Sequence, residues 1–200
     1  MRPSISVPAP TAKPVKAAAM SKSLLHVAPG FDDPIGLLRA CHMRIQQRCA
    51  LLHRIIEHLE KKGADDQARA ACRQVLHYFD TSGKQHHEDE ECDLFPAMLA
   101  AASPQKRGKI QRVIDELNHD HVGMAEAWAN LKPALEAVEA GTASTLDAEL
   151  VDQFQTVYLT HIEKEETEAF DVADKLLDVA ELERIGRNMA ARRGAQYPMG

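Results

Sequence analysis

Residues 87–91 (HEDEE) and 161–165 (HIEKE) each place a histidine four residues before a glutamate. On an α-helix this spacing brings both side chains to one face, one turn apart. A lone histidine precedes each pair, His42 before the first and His121 before the second. The chain therefore alternates a lone histidine with a His-x3-Glu pair, on what we predict to be four separate helices.

Hydrophobic periodicity predicts four long amphipathic helices and a short fifth one near the C-terminus. Asp33-Pro34 and Ser103-Pro104 are typical helix starts, in which a capping residue is followed by proline. The second helix covers about 65–101, and Gly83 and Pro96 leave open whether it is one bent helix or two pieces. Pro133 is expected to disturb the last turns of the third helix. No segment alternates with a period of two, so we predict an all-α, up-down-up-down four-helix bundle.

The same patterns predict the domain organisation. Residues 1–30 are rich in Pro, Ala, Ser and Lys and are expected to form a disordered, flexible tail. The bundle is predicted to span residues 31–177, and a C-terminal helix and tail follow at residues 178–200. That last helix is amphipathic, and we expect it to pack on its own bundle rather than on another subunit.

Composition excludes several classes of protein. Lys+Arg total 24 against 30 Asp+Glu, a net charge of −6, so the basic stripe of a nucleic-acid-binding protein is not expected. The sequence contains no run of eighteen apolar residues, so no membrane span is expected. The N-terminus lacks the apolar block of a signal peptide. The four cysteines form no C-x-x-C pair, so a cytoplasmic protein with reduced thiols is the simplest interpretation.

Four of the ten histidines share a predicted helix face with apolar residues, which makes them candidates for a buried site. They are His42, His87, His121 and His161. His86 instead shares a predicted helix face with charged residues that include Asp89 and Glu90, so we rank it second to His87 as a candidate ligand. His119 has polar neighbours and is expected to face solvent.

Glu91 and Glu165 also lie on apolar faces, where an unpaired carboxylate costs several kcal/mol. A salt bridge to a buried histidine or lysine would explain one such residue, but two His-x3-Glu pairs with two further core histidines favour metal. Imidazole and carboxylate suit Fe, Mn or Zn, and this set exceeds the needs of one four-coordinate zinc. We predict a dimetal centre bridged by both carboxylates, with at least one open position. Its predicted metal ligands are His42, His87, Glu91, His121, His161 and Glu165.

These residues resemble the hemerythrin-like proteins of the HHE cation-binding class. The resemblance covers about residues 31–177, and it is carried by Asp33-Pro34, His42, the string HHEDEECDLFP at 86–96, Asp120-His121 and His161-x3-Glu165-Glu166. It implies a four-helix bundle that holds a non-haem di-iron centre with an oxo or hydroxo bridge, for which Zn or Mn could substitute. The six predicted ligands match the family's ligand positions.

The chain departs from the oxygen-carrying hemerythrins in two places. Those proteins put two histidines four apart on the third helix, whereas positions 117 and 125 here are Leu and Ala. They also use His-x4-Asp on the fourth helix, where this chain has His161-x3-Glu165. The missing histidine leaves one iron more open, or lets His86, Glu88 or water fill the gap.

The resemblance implies two functional classes, and a third follows from the metal alone. Our first expectation is that the protein binds or senses a small diatomic ligand, O2 or NO. The alternative is a di-iron stress enzyme that reduces peroxide or NO, or donates iron for the repair of iron proteins. A purely structural metal ranks third. A protein partner or a homo-oligomer is left open, and no nucleic acid or membrane partner is expected.

Overall fold

The structure is a computed structural model that describes residues 29–198. Within this part of the chain the residues form helices joined by short loops, and no strand occurs. The all-helical prediction is therefore confirmed. The predicted N-terminal tail lies almost wholly outside the described residues, so the domain boundaries stay a prediction.

Eight α-helices and three π-helical turns make up the described chain. The α-helices are α1 (Pro34–Lys62), α2 (Asp66–Tyr78), α3 (Lys84–Asp89), α4 (Phe95–Ala101), α5 (Pro104–Ala140), α6 (Ala148–Glu165), α7 (Asp171–Leu176) and α8 (Val179–Arg192). The π-helical turns are Phe79–Gly83, Glu90–Leu94 and Glu166–Phe170. They join α2 to α3, α3 to α4 and α6 to α7, so the chain has four long helical runs followed by α8. The second run, residues 66–101, is continuous through Gly83 and Pro96.

The ends of the runs follow from local chemistry. The Asp33 side chain accepts a hydrogen bond from the Gly36 amide at 3.0 Å, and Asp178 accepts one from the Glu181 amide at 2.9 Å. These carboxylates satisfy amide groups that the first helical turn leaves without partners. The third run ends at Gly141, whose φ of 75° is the left-handed conformation that glycine adopts without strain.

Pro133 lies inside α5 and does not end the helix, which continues to Ala140. A proline inside a helix removes one backbone hydrogen bond and costs about 3 kcal/mol. Leu131, Leu135 and Val138 surround it in sequence and are fully buried. Burial of three such side chains contributes roughly 1.5–3 kcal/mol each, which offsets the cost.

Within residues 29–198, buried apolar side chains form two separate clusters. The first, which we call the Phe154 cluster, includes Ile45, Phe79, Met124 and Phe154. The second, the Phe170 cluster, includes Leu38, Leu94, Leu117 and Phe170. Along every run, a segment that contains a buried histidine or glutamate separates the residues of one cluster from those of the other. The fold therefore places a polar layer between two apolar ones.

The four runs cross this polar layer in alternating directions. The first and third pass from the Phe170 cluster to the Phe154 cluster, and the second and fourth pass the opposite way. Helix α1 contacts α2 and α6, and both of these contact α5. Each run therefore contributes its middle to one common region.

Helix α8 packs on the same molecule, as its amphipathic pattern predicts. It contacts α1, α3 and the π-helical turn Glu90–Leu94, and it buries Ile185 and Met189 in the Phe170 cluster. Among the described residues, no helix combines the length and the apolar character needed to cross a membrane.

Candidate metal centre

Two groups of imidazole and carboxylate side chains meet in the polar layer. The first group consists of His42, His86, Glu90 and Glu165, and the second consists of Glu90, His121 and His161. In each group, one potential ligand atom per residue lies within 4.8 Å of the others, and all the residues are buried. Because Glu90 belongs to both groups, its two oxygens could bind two different ions.

Glu90 lies between a histidine of each group. Its Oε1 atom is 3.0 Å from Nε2 of His86, and its Oε2 atom is 3.5 Å from Nε2 of His121. The two histidines come from the second and third runs. The carboxylate therefore spans the two groups, which is the position of a bridging ligand.

Glu165 also lies between a histidine of the first group and a histidine of the second. Its Oε2 atom is 3.0 Å from Nε2 of His42 and 3.3 Å from Nε2 of His161. In the second group, Nε2 of His161 also lies 3.2 Å from Nε2 of His121. Four imidazole nitrogens thus converge on two carboxylates. Each glutamate lies beside one histidine of the first group and one histidine of the second.

The two glutamates carry an electrostatic cost that the described chain does not relieve. Both are 0% exposed, and neither forms an ion pair with a lysine or arginine of residues 29–198. Both oxygens of Glu90, and Oε1 of Glu165, also lack a hydrogen-bond partner in this range. An unpaired buried carboxylate costs several kcal/mol, and a cation between the groups would remove that cost. The residues therefore fit a pair of metal ions.

The pKa values of the two carboxylates shift in opposite directions. Burial, reinforced by the nearby Glu165 charge, raises the pKa of Glu90 well above its ordinary value. Burial also acts to raise the pKa of Glu165, but hydrogen bonds from His161 and His42 hold it below its ordinary value. Two carboxylates this close cannot both ionise without a positive charge near them.

The imidazoles of His86 and His121 are held in the form that binds metal. Burial lowers the pKa of His86 well below its ordinary value, and it lowers the pKa of His121 to about 4. These side chains are therefore neutral near pH 7. A neutral imidazole has a free nitrogen lone pair, which a metal ion requires.

A second carboxylate orients each lone histidine from behind. Nδ1 of His42 donates to Oε1 of Glu166 at 2.7 Å, and Nδ1 of His121 donates to Oε1 of Glu91 at 2.6 Å. With a proton held on Nδ1, the lone pair of Nε2 would be available to a metal ion at the centre. Arg39 in turn forms an ion pair with Glu166, which keeps that carboxylate in place.

Phenylalanine rings complete the same arrangement. The Phe170 ring stacks on His42 with centroids 5.1 Å apart, and the Phe95 ring stacks on His121 at 6.3 Å. These contacts restrict rotation of the imidazoles and cover the site with the Phe170 cluster. Each lone histidine is therefore held by one carboxylate and one aromatic ring.

The duplicated contacts reveal a longer sequence motif than the His-x3-Glu pair. Residues 86–95 and 161–170 both read H-x3-E-E-x3-F. Alignment of these strings pairs His86 with His161 and Glu90 with Glu165, and it assigns the second glutamate of each string to the orienting position. Comparison of the full ten-residue strings would have selected His86 and Glu90 from sequence.

The structure brings together four of the six predicted ligands, namely His42, His121, His161 and Glu165. It places His87 and Glu91 outside both groups. The Glu91 side chain is 46% exposed. The His87 ring stacks on His121 with centroids 4.1 Å apart, and its buried Nε2 atom has no hydrogen-bond partner in residues 29–198. The predicted six-residue ligand set stays a prediction.

A π-helical turn explains why α-helical periodicity favoured His87. Spacings of four, three and four, as in 87, 91, 94 and 98, keep to one face of a regular α-helix. The π-helical turn Glu90–Leu94 closes i→i+5 hydrogen bonds and so holds more residues per turn. With more residues per turn, positions four residues apart stay on one face of the helix. His86 and Glu90 therefore lie on the same face as the buried Leu94 and Met98. The turn Glu166–Phe170 has the same effect on the fourth run.

The charged face next to His86 is buried, contrary to the sequence interpretation. Asp89 and Asp93 lie under α8, where they meet cationic and amide side chains. Arg192 pairs with Asp93 at 2.7 Å, Arg193 donates to Asp89 at 3.0 Å, and Asn188 donates to Asp93 at 2.6 Å. Only the packing of α8 reveals that these acids face protein rather than water.

Comparison with known proteins also indicates a cation-binding domain. The sequence model described as "Hemerythrin HHE cation binding domain" matches residues 33–173, which include both groups. The chain is also 33% identical over 163 residues to a Haemophilus influenzae protein whose printed name is "Uncharacterized protein". That alignment covers 82% of this chain and 91% of the relative. The chain therefore belongs to the hemerythrin HHE cation-binding domain family.

Proposed function

We propose that this protein holds two iron ions in an up-down-up-down four-helix bundle, and that it binds or senses O2 or NO there. The observation that carries the proposal is the position of Glu90 and Glu165. Each is fully buried, meets no lysine or arginine of the described chain, and lies between imidazoles from both groups. The alternating directions of the four runs support the bundle.

The proposed ligands divide into two sets. His42 and His86 would hold the first ion, His121 and His161 the second, and both glutamates would bridge them. The proposal thus substitutes His86 for His87, and Glu90 for Glu91, in the ligand set predicted from sequence. Glu91 would then serve to orient His121.

The donor set supports iron over softer metals. All the converging donors are imidazole nitrogens and carboxylate oxygens, which suit iron, manganese or zinc. Cys41 adjoins His42 in sequence but belongs to neither group, and burial raises the pKa of its thiol. Bound iron would supply reversible redox chemistry and open coordination positions. Reduced thiols of this kind also support the cytoplasmic location that we propose.

The surroundings support a small uncharged ligand. The centre lies between the Phe154 and Phe170 clusters, so water is largely excluded from it. A diatomic gas loses little solvation on entering such a site, whereas a charged ligand loses much. The unpartnered Nε2 atom of His87, beside His121, would offer a hydrogen bond to a ligand bound next to the second group.

Metal analysis and optical spectroscopy test this function directly. Protein purified without added iron should contain two iron ions per chain. Anaerobic titration of the reduced protein with O2 and with NO should change its visible spectrum with saturable stoichiometry. A protein with fewer than two bound metal ions, or a spectrum unchanged by both gases, would contradict the proposal.

His87 also favours the enzymatic alternative. A buried, neutral imidazole with an unpartnered ring nitrogen could hydrogen-bond a ligand during reduction of peroxide or NO. Steady-state turnover of either substrate by the reduced protein would support an enzyme, as would iron transfer to a damaged iron protein. Single-turnover binding without release of product would support the binding or sensing function instead.

A further inference from the structure

A surface cleft between α5 and α6 leads to the candidate centre. It has a volume of about 350 Å³, and its lining includes His119, Asp120 and Gly123 from α5 and Thr160, His161 and Lys164 from α6. Another cavity, between α5 and α7, is lined by three lysines and contains none of the candidate ligands. The α5–α6 cleft thus connects solvent with a residue of the second group.

His161 lines this cleft, and its two ring nitrogens lie on opposite sides, one towards the centre and one towards the cleft. Its Nε2 atom points to the centre, 3.3 Å from Glu165. Its Nδ1 atom is 3.7 Å from Oδ2 of Asp120, which lines the cleft, and it has no hydrogen-bond partner within residues 29–198. One imidazole therefore separates the cleft from the centre, and no hydrogen bond at Nδ1 prevents its rotation.

The charge and the donor atoms of the cleft suit a cation. The Lys164 amine contacts Oδ2 of Asp120 at 3.0 Å and Oε2 of Glu116 at 3.4 Å, so two carboxylates face one ammonium. Asp120 and Lys164 balance each other within the lining, and Glu116, which contacts Lys164 from outside the lining, adds a negative charge beside the cleft. With His119 beside them, these residues offer the nitrogen and oxygen donors that divalent first-row metals prefer.

We propose that the cleft between α5 and α6 is the route by which divalent metal ions enter and leave the buried centre, with the Asp120–Lys164 ion pair as its gate. This inference rests on the proposed metal-binding function and extends it to the loading of the site. A cation binds first between His119 and Asp120, where it displaces the Lys164 amine. Rotation of the His161 ring then admits it to the second group.

Gly123 allows the route to be blocked without disturbing the fold. A Cβ atom added at Gly123 would meet no atom within 4 Å, so a side chain there projects into the open cleft. Gly108 lies on the same helix, also has open space around it, and does not line the cleft. Gly108→Leu is therefore a matched control for Gly123→Leu, because both replace a helical glycine by the same side chain.

The experiment measures metal exchange in the loaded protein. Reduced, iron-loaded protein is mixed anaerobically with excess ferrozine, and the released iron is followed by absorbance. The emptied protein is then refilled with Co²⁺ alone. Gly123→Leu should slow both release and refilling at least tenfold, and Gly108→Leu should leave both rates at the wild-type value. Lys164→Met should raise both rates several-fold by the same factor, so that metal affinity does not change.

The outcomes separate the route from the site itself. Equal rates for wild type, Gly123→Leu and Gly108→Leu, with two metal ions in each, would overturn the route and leave the proposed function intact. Equal slowing by both leucine variants would also overturn it, because general stiffening of α5 would explain the result. Faster release without faster refilling in Lys164→Met would show a weakened site and no gate. Wild-type protein that binds no metal would overturn both proposals.

Discussion

Nδ1 of His121 donates a hydrogen bond to Glu91 at 2.6 Å, so this glutamate contacts the edge of the imidazole that is turned away from the centre. The equivalent contact joins His42 to Glu166 at 2.7 Å on the other side. In each half of the chain, the first glutamate of the H-x3-E-E-x3-F string faces the centre and the second faces the back of a histidine. Adjacent glutamates in one string thus have different roles.

Glu90→Gln and Glu91→Gln should therefore have different effects on metal content. Loss of the Glu90 charge removes a bridging oxygen, so we expect this variant to retain at most one metal ion. Loss of the Glu91 charge weakens only the orientation of His121, so two ions should remain with affinity reduced about 10–100-fold. Metal analysis and competition with a chelator measure both effects. Loss of metal in Glu91→Gln alone would instead support the ligand set predicted from sequence.

His86→Ala and His87→Ala form a second matched pair. His86 belongs to the first group, so its loss should remove at least one metal ion. His87 lies outside both groups, so its variant should keep two ions but bind O2 or NO more weakly. Metal content and gas titration of the reduced protein distinguish the two. Full metal content in His86→Ala would contradict the ligand set proposed from the structure.

Arg192→Ala should destabilise the fold through α8. The change leaves Asp89 and Asp93, both buried, without one of their guanidinium partners. Breaking a buried ion pair costs about 3–5 kcal/mol. Because Arg192 is partly exposed and Arg193 still contacts Asp89, we expect about 2–3 kcal/mol and a fall in Tm of roughly 5–10 °C.

Arg73→Ala provides the control for that change. Arg73 pairs with Glu139 at 3.0 Å on the exposed surface, and such a pair contributes about 0–1 kcal/mol. Thermal unfolding followed by circular dichroism measures both variants. Equal stability of the two variants would show that α8 does not neutralise the acidic face beside His86.

The stability of the metal-free protein should fall as the pH drops from about 6.5 towards 4. Burial lowers the pKa of His121 to about 4 and that of His87 to about 3, against 6.5 in the unfolded chain. Between these values the unfolded chain binds more protons than the folded one, so the free energy of unfolding rises with pH and is fully present above about 6.5. The loss at pH 4 should reach roughly 3 kcal/mol per histidine, at 1.4 kcal/mol for each unit of pKa.

Urea unfolding at several pH values checks this dependence. His87→Gln should flatten the curve, because it removes one buried group that resists protonation. A free energy of unfolding that is constant from pH 7 to pH 4 would contradict the burial of these imidazoles.

The sequence alone determined the helical class, the caps and the lone histidines. His42 and His121 lie on long, regular helices, so a period of 3.6 residues correctly predicts that they face inward. Asp33, Asp178 and Gly141 act within one turn of the chain, and such local chemistry does not depend on the rest of the fold.

Tertiary structure decided the register of the second run. The π-helical turn Glu90–Leu94 changes the number of residues per turn, and α8 supplies the arginines that allow Asp89 and Asp93 to be buried. Neither effect is encoded in the local period of that run, because the arginines lie about a hundred residues further along the chain. Which neighbouring histidine and glutamate face the centre therefore depends on long-range packing.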